Sequence, residues 1–174
     1  MPRSFVLSAD SPGSVDRIGS TFRDEDYWQA RLVAFDTGSP TLDSLTTDAD
    51  GTTSVAMTLS FGGDQLPAPL NRIRAGVVHV HYLERWCPDD DGSLRGEITV
   101  DAPGVPMSGH GAVTLTPDGD GAHFACTATV AVNVPFVGGT IAKLIADPVA
   151  DWILAIHEFT NAWMVDGDGP PPPS

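Results

Sequence analysis

The feature that most restricts this chain is a long apolar stripe near its C-terminal end. Ile141, Ile145, Val149, Trp152, Ile156, Phe159 and Trp163 recur at steps of three and four, the spacing that places side chains on one face of an α-helix. A helix from Gly138 to Val165 would run roughly 40 Å, at about 1.5 Å per residue. So long an aromatic stripe has to be buried, and the rest of the chain must supply the broad apolar face that buries it. Pro148 falls inside the stripe. It lacks an N–H and its ring clashes with the preceding turn, so a kink or a split is expected there.

The chain before the stripe reads as a run of strands. Thr53, Val55, Met57, Leu59 and Phe61 alternate with smaller or polar residues, the period of a half-buried strand. A strand at about Thr41–Thr47 leads into it through the turn Asp48-Ala49-Asp50-Gly51. Val78, Val80, Tyr82, Glu84 and Trp86 then share one strand face, and His79, His81, Leu83 and Arg85 share the other. After the turn Pro88–Gly92 come Leu94, Gly96, Ile98 and Val100 on one face, with Gly96 expected opposite Glu84. A loop over Ala102–Ser108 precedes a strand with Val113 and Leu115. The last strand covers Phe124–Val134. At the N-terminus, a short strand Ser4–Ala9 precedes a helix capped by Asp10 or Ser11 with Pro12 at its first position. A second helix from about Asp24 has Tyr27, Trp28, Leu32 and Phe35 as its apolar side. Gly62–Gly76 is a crossing loop, with a helical turn expected at Leu70–Arg74. Helices at both ends of a run of strands indicate an α+β fold: an antiparallel sheet of six to seven strands, curved around the long helix, with two short helices after the first strand.

Charge narrows the partners. The chain has 23 acidic against 9 basic side chains, a net charge of −14, and Lys143 is its only lysine. Such a surface repels phosphate backbones, so nucleic acid is excluded as an expected partner. Hydrophobic residues make up 41% of the chain, enough for a real core. No apolar run approaches the ~18 residues of a membrane span, and the opening MPRSFVLSAD, with one arginine and about four apolar residues, is not expected to act as a signal peptide. A cytoplasmic protein without an integral membrane segment is expected. Cys87 and Cys126 match no metal or redox spacing and read as reduced thiols. Residues 1–166 are expected to form one domain, and 167–174, GDGPPPPS, a disordered tail.

Several segments together resemble a known family. They are PRSFVLSADSPGSVDRI, EDYWQARL, TLDSLTTDADG, DGSLRGEITVDAPGVPMSG and VNVPFVGGTIAKLI. In this order they are similar to the START-like superfamily, also called the polyketide-cyclase or birch-pollen-allergen fold, and more narrowly to an actinobacterial family known as domain of unknown function 2505. One departure is Ala142, which stands where an acidic residue is expected before Lys143. The resemblance implies a helix-grip fold around a central cavity and, for the narrow family, no assigned activity.

The candidate chemistry is sparse. Glu84 lies on the inward strand face with Tyr82 and Trp86, where a carboxylate could serve as acid, base or hydrogen-bond partner. The plainer reading is a solvated Glu84, or one paired with Arg95. His79 and His81, two apart on the outer face, could offer two imidazoles to a metal, with Asp101 across the hairpin, but are expected to be solvated. The aspartate clusters at 48–51, 89–92 and 118–121 lack the calcium-loop pattern and read as turns. Val137-Gly138-Gly139-Thr140 reads as a tight strand-to-helix turn. His110, His123 and His157 are placed beside a turn or on the outer side of the helix and are given no role. No metal or cofactor is implied.

A hydrophobic pocket remains. Met57, Leu59, Phe61, Tyr82, Glu84, Trp86, Ile98, Trp152, Ile156 and Phe159 are the residues expected around a hydrophobic small molecule or lipid, with Tyr82, Glu84 and an indole N–H as polar anchors. The helix hairpin and the Pro67–Arg74 and Pro103–Pro106 loops would gate it. Two alternatives stand beside non-catalytic binding. One is a cyclase- or dehydratase-like enzyme using Glu84. The other is an acidic interaction module with a filled core.

Overall fold

The computed structural model describes residues 2–62, 65 and 76–166. The elements run β1 (Arg3–Ser11), α1 (Val15–Phe22), α2 (Glu25–Ala34), β2 (Thr41–Thr47), β3 (Thr53–Phe61), β4 (Val78–Pro88), β5 (Leu94–Asp101), β6 (Met107–Asp118), β7 (Gly121–Val132) and α3 (Gly138–Asp166). The expected gating loop Pro67–Arg74, with the helical turn at Leu70–Arg74, and the tail 167–174 lie outside the described residues.

The strands form one seven-stranded sheet in the order β1-β7-β6-β5-β4-β3-β2. All neighbours are antiparallel. β2 to β7 follow one another as a meander. β1 pairs with β7 at the far edge, and α1 and α2 carry the chain from that edge to β2. Alternation decides which way each strand faces: Val78, Val80, Tyr82, Glu84 and Trp86 are buried, while His79, His81, Leu83 and Arg85 between them are exposed. The same rule buries Phe124, Cys126, Ala128, Val130 and Val132 of β7.

The first helix starts later than the sequence suggests. Asp10 and Ser11 belong to β1, paired with His123 and Ala122. The cap is Ser14, whose side chain accepts from the Arg17 N–H at 3.2 Å. Extending the β1–β7 ladder satisfies more backbone than an earlier helix start would, and Pro12 becomes the bend between strand and helix. Asp24 caps α2 by accepting from the Asp26 N–H at 3.0 Å.

The last helix is a single element of 29 residues that continues through Pro148, so no split occurs there. It starts at a tight turn: a Cβ on Gly138 would collide with the Val132 carbonyl. It packs chiefly on β7 and β1, and also on α1 and α2. Near its end the Arg17 guanidinium donates to the Met164 carbonyl, filling one of the acceptors a helix C-terminus leaves open. Among the described residues, no helix is long and apolar enough to cross a membrane.

Candidate functional site

Two neighbouring cavities lie between α3 and the sheet. The larger, about 430 Å³, is bounded by Leu59 and Phe61 of β3, Val80 and Tyr82 of β4, Ile98 and Val100 of β5, Val130 of β7, and Ile145, Pro148, Val149, Trp152 and Ile153 of α3. Its floor is made of residues too small to fill it. Gly109 and Gly111 of β6 face Val130 and Ala128 of β7 on one side, and Val100 and Ile98 of β5 on the other. A Cβ added to Gly111 would come no closer than 3.5 Å to Ile98. At Gly111 the missing side chain is thus missing volume, not relief of a clash. Cys126 also lines this cavity, and burial pushes its thiol above the ordinary value.

The smaller cavity, about 50 Å³, is bounded by Arg31, Glu84, Trp86, Ile156, His157, Thr160 and Asn161 among others. That is room for a few water molecules, which need roughly 10–15 Å³ each. Tyr82, Ile98 and Ile153 border both cavities. The Tyr82 ring stands edge-on to Trp152, with centroids 6.1 Å apart.

A buried ion pair orders the polar side. Glu84 is 2% exposed, and its Oε1 accepts from Arg31 Nη2 at 2.6 Å and from the Tyr82 hydroxyl at 2.7 Å. Its Oε2 accepts from the Trp86 indole N–H at 2.9 Å. The Arg31 guanidinium lies 4.6 Å from the Trp28 ring centroid, a cation–π contact. Burial works against the Arg31 charge, yet the Glu84 carboxylate and the Tyr27 and Tyr82 phenols hold it above its ordinary value. Burial, reinforced by Glu84, holds the Tyr82 phenol well above 10.0. Tyr27 is raised by its burial, and its hydroxyl lies 2.6 Å from Thr160 Oγ1. Thr160 itself donates to the Ile156 carbonyl, so Tyr27 is the donor of that pair.

These contacts redistribute the sequence expectations. Leu59, Phe61, Tyr82, Ile98 and Trp152 border the large cavity; Glu84, Trp86 and Ile156 border only the small one. Met57 is packed into the core. Phe159 packs on Tyr27, Phe35 and Trp163 and borders neither cavity. Glu84 faces Ile98 across the β4–β5 ladder, and Gly96 faces Trp86, a two-residue correction set by the Pro88–Leu94 register of the hairpin. Arg95 pairs with Asp89 on the surface, not with Glu84. Tyr82 and Trp86 spend their donors on Glu84 and leave none for a ligand. With three donors on its two oxygens, Glu84 could take part in proton transfer only by giving one of them up.

The histidines divide. His79 and His81 are exposed, His79 bonded to Ser60 and His81 opposite Asp101. Among the described residues, no three His, Cys, Asp or Glu side chains are grouped to hold a metal. His157 is not on an outer face: it is buried, stacked 4.7 Å from Phe124, with Nε2 3.1 Å from the Asp10 carbonyl. The aspartate clusters serve as turns, with Asp50 and Asp91 accepting from the Thr52 and Ser93 N–H groups.

Arg31 is the residue the sequence reading passed over. It follows Tyr27 by four and Trp28 by three, which places it on the apolar side of α2, and a charge on an apolar face was the available signal.

An open antiparallel sheet gripping a long C-terminal helix, with two short helices between its first and second strands, is the helix-grip fold of START-like proteins. The chain belongs to the family described as Protein of unknown function (DUF2505), which matches residues 7–164. It is 32% identical to "Uncharacterized protein Rv0481c" of Mycobacterium tuberculosis and to "Uncharacterized protein Mb0491c" of Mycobacterium bovis, over 95% of this chain and 99% of each relative. Among solved structures, TTHA0849 from Thermus thermophilus is similar with a TM-score of 0.58 at 14% identity, covering 95% of this chain and 99% of that one. Ara h 8.0201 is similar at 0.55 and 9% identity, over 95% and 99%. A Thalictrum norcoclaurine synthase is similar at 0.51 and 11% identity, over 97% and 98%. At these identities the likeness is one of fold.

Proposed function

We propose that this protein binds a hydrophobic small molecule or lipid, without chemistry, in the larger cavity. The observation that carries the reading is a volume of about 430 Å³ walled by aliphatic and aromatic side chains. It lies in the range of ligand pockets, about 300–1,000 Å³. A filled core is the competing expectation, and a space of this size speaks against it. The contacts assigned to the ligand are Leu59, Phe61, Tyr82, Ile98 and Trp152, with Val80, Val100 and Val130 completing the apolar wall. Because the Tyr82 hydroxyl is tied to Glu84, the wall offers few free polar side chains. The bound part of the ligand is therefore apolar, and any polar group sits at the rim beside the exposed Thr37.

The test is native mass spectrometry of delipidated protein after exposure to a lipid extract, alongside titration with an apolar fluorescent dye. A retained ligand mass that the dye displaces supports the reading. Protein that takes up neither lipid nor dye sinks it.

A further inference from the structure

The junction of β7 and α3 carries a feature that ligand binding does not use. No aspartate or glutamate occurs between Asp120 and Asp147, in a chain with 23 acidic residues. Within this interval Phe136 is 105% exposed, and its φ of 69° lies in the left-handed region that bulky side chains rarely adopt. Val137, next in the same turn, and Leu144, on the first turns of α3, are exposed as well. Lys143, the only lysine, is exposed next to Leu144. Ile145, the residue after Leu144, lines the large cavity. The apolar knuckle therefore sits at the start of the helix that walls the pocket.

The size and charge of the knuckle select its partner. A stable pair of copies takes about 800 Å² from each, and a Phe contributes roughly 150–250 Å². Phe136, Val137 and Leu144 fall short of that, and two chains of net charge −14 repel each other. Anionic lipid surfaces repel the chain for the same reason. A zwitterionic bilayer does not. There an aromatic ring settles at the headgroup boundary, and a single lysine meets the phosphates.

We propose that Phe136, Val137 and Leu144 dock this protein on a zwitterionic phospholipid bilayer, with Lys143 at the headgroup phosphates and the cavity wall held against the lipid. The proposal rests in part on the ligand reading, because a membrane partner suits a protein whose cargo is apolar.

Flotation with phosphatidylcholine vesicles tests it. The full chain is expected to float with the vesicles. Phe136→Gly suits the left-handed backbone and so leaves the thermal midpoint unchanged, but it should lower the bound fraction roughly tenfold or more. Leu144→Ser should act in the same direction, and Phe136→Trp should retain binding. Dye uptake in vesicle-free solution should be unchanged in all three. Absence of flotation, or flotation indifferent to Phe136→Gly, overturns the proposal. So does sedimentation showing a dimer that Phe136→Gly dissolves, because the knuckle would then join two copies. Flotation without dye uptake supports docking and sinks only the ligand reading.

Discussion

Arg31 and Glu84 lie 53 residues apart in sequence and meet across 2.6 Å in the middle of the core. The pair ties α2 to β4, and through the Tyr82 hydroxyl and the Trp86 indole it also fixes two aromatic rings of the sheet. Removing one partner leaves the other charged and buried. Arg31→Met is expected to cost about 3–5 kcal/mol in denaturant unfolding. The double variant Arg31→Met, Glu84→Leu should recover much of that loss, because an apolar pair of similar volume replaces the ion pair. A double variant no more stable than the single one would show that the ion pair itself is required.

The chain has only two tyrosines, and burial raises both phenols. In the unfolded chain they ionise near the ordinary 10.0; in the folded protein they stay protonated above it. The unfolded state thus loses protons first. The stability these groups contribute is complete below about pH 10 and drains away as pH rises beyond it. Phenolate absorbance should be absent from the folded protein above pH 10 and appear together with the loss of circular dichroism. Phenolate appearing in protein that remains folded would contradict the burial of these hydroxyls.

Gly96 makes room for Trp86. A Cβ there would stand 2.7 Å from Cε3 and Cη2 of the indole, closer than real contacts allow. Gly96→Ala must push the ring aside and strain the indole N–H bond to Glu84. The expected cost is about 1–3 kcal/mol, with a change in tryptophan fluorescence. Gly19→Ala, inside α1 where a Cβ meets only Leu94 at 3.9 Å, is the control and should stabilise by up to about 1 kcal/mol.

Gly111 is the opposite case, since a Cβ meets only ordinary contact and a larger side chain would grow into empty space. Gly111→Leu should keep the folded structure and weaken uptake of an apolar dye roughly tenfold or more, by occupying part of the cavity. Unaltered uptake would mean the dye sits elsewhere.

Thr160→Val removes the acceptor of the buried Tyr27 hydroxyl while keeping the side chain's shape. An unpaired buried hydroxyl costs about 1–3 kcal/mol, and chemical denaturation should show a loss of that order. A neutral result would mean that the hydroxyl finds another acceptor.

The sequence by itself determined which way the strands face. Period-two alternation is a property of the strand backbone, so Val78, Val80, Tyr82, Glu84 and Trp86 could be placed inward without knowledge of any neighbour. The stripe from Ile141 to Trp163 likewise required a helical apolar face and a sheet to receive it, while the continuity of that helix through Pro148 was decided by the tertiary structure. Tertiary structure decided what those faces meet. Ser11 stayed in β1 because Ala122 of β7 pairs with it. His157 is buried because α3 packs against Phe124 and β1 as well as along its stripe. The cavity floor exists because the β5–β6–β7 register brings Gly109, Gly111 and Ala128 side by side, although each reads alone as an ordinary small residue. Glu84 was placed inward from its strand, but its partner Arg31 came from a distant helix. An arginine is seldom fully buried unless it is paired, and the identity of the pair is a fact of the folded chain, set by packing between elements that local periodicity does not encode.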